Sequence, residues 1–339
     1  MIDSAARNTA LLEVTDLAKY FPLKKGLGRR TIGTVKAVDG ISLEVKHGEV
    51  LGIVGESGSG KTTAARCILR AIEPTRGRIT YRDHKGTVDV GALDRRELRS
   101  FRRNMQMIFQ DPYASLNPRM MVRDIIGEPL LVHGIARGHD LESRVRELMK
   151  QVGLDDRYLN RYPHAFSGGQ RQRIGIARAL ALKPSLVVCD EAVSALDMSM
   201  QAQVLNLLEK LQREMQLTYI FIAHDLSVVR HFCHRIVVMY AGRIVESGTT
   251  EDVFSNPLHP YTEALLSAAP NPEPGARSNR ITLSGEVPDP SDMPQGCAFH
   301  PRCPHAQDTC SASEPPLKDI RTGRRASCHF VDALSLQGV

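Results

Sequence analysis

The chain has 339 residues, 42% hydrophobic and 24% charged, the proportions of an ordinary globular protein with room for two or three domains. No apolar run approaches the roughly 20 residues a membrane-spanning helix needs, and Met1–Thr9 lacks an apolar signal core, so a cytosolic chain is expected. The net charge of +6 raises nucleic acid as a partner, but the basic residues are dispersed among Glu and Asp. The densest group, Arg95, Arg96, Arg99, Arg102 and Arg103, falls at helical spacing and reads as a solvated face, so no nucleic-acid partner is expected.

Leu11–Val14 and Ile41–Val45 alternate apolar and polar residues and predict half-buried strands. Lys24–Arg30, basic and glycine-containing, predicts a loop. Val50–Val54 is a continuous apolar run that predicts a buried strand, with a helix after Lys61. Residues 112–182 change character, and amphipathic helical patterns dominate, as in Leu141–Val152 and Gln170–Leu182. Leu186–Cys189, Tyr219–Ala223 and Arg235–Tyr240 predict further buried strands, with a helix over Ala202–Met215. Buried strands alternating with helices indicate a parallel α/β sheet. Twelve of the 19 prolines lie between Pro257 and Pro316, so that stretch is expected to be neither mostly helix nor central strand.

The segment Gly55-Glu56-Ser57-Gly58-Ser59-Gly60-Lys61-Thr62-Thr63 joins the strand 50–54 to the next helix. The spacing G-x-x-x-x-G-K-T is what a loop needs to wrap a polyphosphate. Glycines let the backbone turn tightly and approach closely, and loop N–H groups with the positive end of the helix face anionic oxygens. Lys61 is long enough to reach the β- and γ-phosphates, and the Thr62 hydroxyl can ligate Mg²⁺. A nucleoside triphosphate is therefore the expected ligand. Asp190 and Glu191 end the strand 186–189. A carboxylate there can hold Mg²⁺ and its neighbour can polarise an attacking water.

Seven cysteines are present. Cys67, Cys189 and Cys233 sit among apolar neighbours and read as buried thiols. Cys297, Cys303, Cys310 and Cys328, spaced C-x5-C-x6-C-x17-C, fall within the last 43 residues. In a cytosolic chain such a cluster argues for metal rather than disulfides. Four thiolates can serve zinc or an iron–sulfur cluster. The tight C-x2–4-C pairs that zinc sites prefer are absent, and the long spacings with Pro301 and Pro304 suit a [4Fe–4S] cluster wrapped by extended chain. Zinc and free thiols stay open as alternatives. His300, His305 and His329 lie nearby and are read as surface groups or as groups supporting the site from behind, not as ligands.

With Gln110 after the apolar stretch Met105–Phe109, Phe166-Ser167-Gly168-Gly169-Gln170 before a helix, Ser194-Ala195-Leu196-Asp197 after the acidic pair, and His224 at a strand end, the chain resembles the ATP-binding subunits of ABC transporters. Walker A, Q-loop, signature, Walker B, D-loop and H-loop occur in the family's order. The resemblance implies an α/β, ABC-type P-loop NTPase core over residues 10–111 and 183–255, a helical signature subdomain over 112–182, and a Pro/Cys-rich C-terminal extension over 256–339. It implies that Gly55, Glu56, Ser57, Gly58, Ser59, Gly60, Lys61, Thr62 and Thr63 bind ATP. Thr62, Gln110 and Asp190 hold Mg²⁺, Glu191 is the general base, and His224 contacts the γ-phosphate. Phe21 is the expected adenine-stacking aromatic, with Tyr20 as the alternative. Ser167, Gly168, Gly169 and Gln170 act on the ATP of a second subunit, across a head-to-tail dimer. Phe166 and Ala192 depart from the commoner Leu and Pro, at positions that give no group to the phosphates.

Arg161–His164, Met198–Leu208, Asn256–Leu265 and Gly296–Pro304 narrow the resemblance to the oligopeptide/dipeptide/nickel branch of importer ATPases, most like the second ATPase subunit of the peptide systems. That branch implies a paralogous second ATPase, two transmembrane permease subunits and an extracytoplasmic substrate-binding protein. It places the chain at the cytoplasmic face of the membrane, with residues 112–182 meeting the permeases, and some of its ATPase subunits carry a [4Fe–4S] cluster. A nickel importer of the same branch, a non-transport ABC ATPase, or a module that clamps ATP without hydrolysing it are the alternatives; intact Glu191 and His224 weigh against the last.

Overall fold

The structure is a computed structural model that describes residues 9–25, 30–84, 86–268 and 280–339. The loop expected over Lys24–Arg30 falls largely on residues 26–29, and most of Met1–Thr9 on residues 1–8, outside the described residues.

In chain order come β1 (Ala10–Lys25), β2 (Arg30–Lys46), β3 (Val50–Val54), α1 (Lys61–Ile68), β4 (Arg76–Asp83), β5 (Gly86–Asp89) and α2 (Arg95–Phe101). Then follow β6 (Met105–Ile108), α3 (Pro112–Ser115), α4 (Val122–Val132), α5 (Gly138–Gln151), α6 (Gly168–Leu180), β7 (Leu186–Asp190) and α7 (Met198–Met215). Last are β8 (Thr218–Ile222), α8 (Leu226–Phe232), β9 (Arg235–Tyr240), β10 (Arg243–Thr249), α9 (Thr250–Ser255), α10 (Pro260–Ser267), α11 (Asp308–Ala312), β11 (Lys318–Arg321) and β12 (Arg324–Ala326). The elements divide into two compact units, one of residues 1–9, 46–48 and 92–222, the other of residues 10–45, 49–91 and 223–339.

In the first unit β6, β7 and β8 pair in parallel, with Leu186 opposite both Met105 and Thr218. Every residue of β7 and β8 is buried, as a parallel sheet covered on both faces requires. The helix expected over Ala202–Met215 starts four residues earlier. Asp197 caps it by accepting the Met200 N–H at 2.9 Å, and Val204, Leu207, Leu208 and Leu211 form its buried stripe. Helices α4, α5 and α6 pack against one another. The basic residues on and after α2 are exposed, as expected.

In the second unit β3 pairs in parallel with β9, and β9, β10, β12 and β11 continue antiparallel in that order. A separate antiparallel sheet runs β2-β1-β4-β5, in which Leu12 lies opposite Tyr81. The sequence pattern predicts the half-buried strands but not this second sheet, because β1 and β2 run 16 and 17 residues, well past their alternating cores. Among its described residues, the proline-rich extension is mostly irregular, as expected. Its last part, past Pro316, is free of proline and forms the β11–β12 hairpin, so β12 is paired on both sides. Cys67, Cys189 and Cys233 are buried thiols.

Candidate functional site

The second unit contains the glycine loop. β3 is fully buried and delivers the chain to Gly55, from which the loop runs to Gly60, the residue that starts α1. Gly60 has φ of +98°, and a Cβ there would lie 2.2 Å from the Ala37 carbonyl oxygen; Gly55 would meet the Met239 oxygen at the same distance. Both contacts are with main chain, so neither position tolerates a side chain. Lys61 is buried, and its ammonium donates to the carbonyl oxygens of Gly55 at 2.8 Å and Glu56 at 2.9 Å. The loop is thus wrapped around its own cation. Ser59 is buried, Ser57 and Gly58 are exposed, and Thr62 and Thr63 are half-buried on the first turn of α1.

Phe21 on β1 is 37% exposed, with the Lys19 ammonium 5.0 Å from its ring centre. Tyr20 is differently engaged, because its hydroxyl donates to the Asp39 carboxylate. Of the two, Phe21 is the more exposed ring. His224 is exposed, directly before the Asp225 cap of α8.

The first unit brings Gln110 and Glu191 together. Gln110 follows β6, and its Nε2 donates to Glu191 Oε2 at 2.6 Å. Glu191 has φ of +47°, a left-handed conformation uncommon outside glycine, and its N–H donates to the Ile222 carbonyl at 3.0 Å. Its own carbonyl accepts the Ser194 N–H at 3.1 Å. Asp190, one residue earlier, is 2% exposed at the end of β7. Ser167 begins α6 in a reciprocal cap, its Oγ accepting the Gln170 N–H at 3.3 Å while Gln170 Oε1 accepts the Ser167 N–H at 3.0 Å. Gln170 therefore braces the helix start, Ser167 stands exposed on it, and Gly169 is buried.

The four C-terminal cysteines meet in the second unit. Cys297, Cys303, Cys310 and Cys328 line one cavity of about 20 Å³ with Phe299 and Phe330. Burial pushes the Cys303 thiol up to about 11 and raises Cys297 and Cys328, and the neighbouring cysteines add to each rise. Among the described residues no group of three or more His, Cys, Asp or Glu side chains is arranged, as it stands, to hold a metal ion.

Three features escaped the sequence reading. Arg302 pairs with Glu56, Tyr261 takes the Glu56 N–H, and Glu246, fully buried, pairs with Arg324. Their partners are 246, 205 and 78 residues apart, and no local pattern marks them.

A model of the family described as ABC transporter matches residues 38–194, and one described as the oligopeptide/dipeptide transporter C-terminal region matches residues 245–310. The oligopeptide transport ATP-binding protein AppF of Bacillus subtilis is 50% identical, over 96% of this chain and 99% of the relative. The chain belongs to the ABC transporter family. The putative oligopeptide transport ATP-binding protein YkfD of the same organism is 51% identical over 96% of each ABC protein. Among solved structures, the dimeric ATP-binding cassette MJ0796 in a post-hydrolysis state with ADP and Pi is 29% identical, with a TM-score of 0.61 over 70% of this chain and 98% of that one. The fold is accordingly that of an ABC ATPase, and the chain is an ATP-binding, ATP-hydrolysing subunit.

Proposed function

We propose that this chain is the energy-coupling ATPase of an ABC importer for di- and oligopeptides. The observation that carries this reading is the strand–loop–helix over residues 50–68, with the Lys61 ammonium already inside the loop, in a chain whose tail matches the oligopeptide/dipeptide transporter region. When nucleotide arrives, Lys61 exchanges its carbonyl partners for β- and γ-phosphate oxygens, while loop amides other than that of Glu56, which is held by Tyr261, face the phosphates. Thr62, Gln110 and Asp190 would hold Mg²⁺, which draws charge from the developing leaving group. Glu191 takes a proton from the attacking water, His224 contacts the γ-phosphate, and Phe21 stacks on adenine.

Ser167, Gly168, Gly169 and Gln170, at the start of α6, serve the ATP of a second subunit, Gln170 by bracing that helix start. A helix beginning favours negative charge, so a triphosphate draws two such ends together until hydrolysis parts them. The reading has three bodies: a catalytic core of residues 10–111 and 183–255, a helical segment of 112–182 that meets the permeases, and the extension of 256–339. No helix among the described residues is long and apolar enough to cross a membrane. In the importer reading, two permeases and an extracytoplasmic binding protein complete the assembly and keep this subunit at the cytoplasmic face of the membrane. The second ATPase is a paralogue.

For the cysteines, four thiols lining one cavity, Cys310 buried and the other three half-buried, support a thiolate-bound group, and their spacing supports [4Fe–4S] over zinc. Such a cluster would cross-link the extension; Cys297, Cys303, Cys310 and Cys328 would shed their protons to hold it. Anaerobic purification should give bound iron and sulfide with broad visible absorbance. Zinc alone, or no metal, would end the cluster reading.

The function is tested by purifying the tagged chain from its own membranes, identifying every partner, and measuring peptide uptake in cells carrying Lys61→Ala. Co-purification with two permeases and a second ATPase, and loss of peptide uptake, are expected. Loss of nickel uptake with peptide uptake intact moves the substrate, and recovery with ribosomes or DNA overturns the transport reading.

A further inference from the structure

The extension reaches the glycine loop at Glu56, through an ion pair to Arg302 and a hydrogen bond to Tyr261. Arg302 ends the short turn His300–Arg302, directly before Cys303. Its Nη1 donates to Glu56 Oε2 at 2.8 Å and its Nη2 to Glu56 Oε1 at 3.1 Å, a two-pronged guanidinium–carboxylate pair. Its side chain is only 7% exposed. Glu56 is the second residue of the loop, and its other polar groups are also engaged. Its N–H donates to the Tyr261 hydroxyl at 2.7 Å, and its carbonyl accepts from Lys61.

The anchor itself is rigid. Tyr240, Tyr261 and Phe299 form a three-ring cluster with centres 4.6, 5.2 and 5.5 Å apart. The Arg302 guanidinium lies 5.9 Å from the Tyr240 ring, and its backbone N–H donates to the Phe299 carbonyl at 3.0 Å. Phe299 in turn lines the cavity of the four cysteines. A path of buried contacts thus runs from the cysteine cavity to the loop.

We propose that Arg302 is a positioning residue for the phosphate loop, and that through it the cysteine segment sets how tightly the loop holds nucleotide. The proposal rests on the reading of residues 55–63 as the ATP loop. Two physical effects support it. A loop with glycine at 55, 58 and 60 loses much chain entropy on ordering, and a fixed Glu56 has made part of that loss before ligand arrives. The Glu56 carboxylate is also a negative charge beside a polyanion site, and Arg302 neutralises it.

The test uses the assembled transporter and titrates MgATP in binding and steady-state ATPase measurements. Arg302→Ala should raise the KM for ATP about tenfold, the loss of one charge-assisted pair, while kcat falls by no more than about twofold. Arg302→Lys keeps the charge but not the fork, and should recover part of the loss. Glu56→Ala removes the other end of the strut and should also weaken binding, but by less than Arg302→Ala, because it removes the carboxylate's negative charge as well. The double variant should be no worse than Arg302→Ala alone, because the two residues act as one unit. Unchanged KM in both single variants, or losses that add in the double, overturns the proposal. If Arg302→Ala does not fold, Arg302→Lys and the half-exposed Glu56 decide it by the same readouts. Lys61→Ala separates the two layers. Wild-type protein with no MgATP binding that Lys61→Ala removes means the ATP-loop reading itself has failed, whereas normal Lys61 dependence with indifferent Arg302 and Glu56 variants fails this inference alone.

Discussion

Gln110 donates to the Glu191 carboxylate at 2.6 Å from 81 residues away in sequence. The contact aims the carboxylate and ties the end of β6 to the end of β7. It also means that an amide proposed to hold Mg²⁺ and a carboxylate proposed to activate water are already joined by one hydrogen bond. A change at either is felt by the other.

Glu191→Gln keeps the shape of that side chain and removes its basicity. A general base contributes roughly 10²–10⁴-fold to a rate, so ATP turnover by the assembled transporter should fall at least about a hundredfold. Bound ATP should be retained at stoichiometric levels after rapid desalting. Turnover near the wild-type rate would remove Glu191 from its role.

Gly60→Ala tests the loop's backbone. The added Cβ would sit 2.2 Å from the Ala37 carbonyl oxygen, at a φ of +98°. Main chain does not give way cheaply, and a residue forced into such a conformation costs about 1–3 kcal/mol. The variant should melt at a lower temperature and show no MgATP binding in a titration. Wild-type affinity would mean that the loop is looser than its geometry indicates.

The loop over 55–63 was legible because its chemistry is local: one strand, three glycines, a lysine and a helix within a dozen residues. Asp190 and Glu191 were marked by their place at a strand end, and Gln110 and Ser167 by resemblance, but the Gln110–Glu191 contact and the reciprocal Ser167–Gln170 cap emerge only from the fold. The strands at 11–14 and 41–45 were legible as half-buried, because alternation records which face meets the core. Their pairing into a separate sheet was not, since register is decided by partners such as Tyr81. Arg302 and Tyr261 lie in stretches that mark the transporter branch, but their contacts with Glu56, like the Glu246–Arg324 pair, were invisible for the same reason.

Arg324→Met examines how the β11–β12 hairpin is anchored. Glu246 is fully buried and accepts the N–H groups of Leu258 and His259, both at 2.9 Å, besides the Arg324 guanidinium at 3.1 Å. Arg324 also donates to the Asn256 carbonyl. Burial raises the Glu246 carboxyl above its ordinary range, and its hydrogen bonds and Arg324 oppose the rise. Removing one partner of such a buried pair leaves an uncompensated charge, at a cost of about 3–5 kcal/mol. Chemical denaturation should show that loss. A change below about 1 kcal/mol, the range of exposed pairs, would show that the pair contributes no more than a surface contact.

Asp39 provides a pH test with a defined sign. Burial alone would raise its carboxyl, but the Tyr20 hydroxyl, Arg243 and Lys36 outweigh burial and hold it below the ordinary carboxylate range. Arg243 Nη2 lies 2.7 Å from Asp39 Oδ2. The Tyr20 hydroxyl is raised in turn, by burial first and then by this same carboxylate. A carboxyl lowered in the folded state is protonated more readily in the unfolded chain, so its contribution is complete above the unfolded value of about 3.9. The contribution is lost as pH falls through the folded value. Asp39→Asn should therefore be less stable than wild type at neutral pH, and the gap between them should narrow below about pH 4. Denaturation midpoints of both proteins across that range decide the matter, and a gap that stays constant or widens in acid would reverse the sign assigned to Asp39.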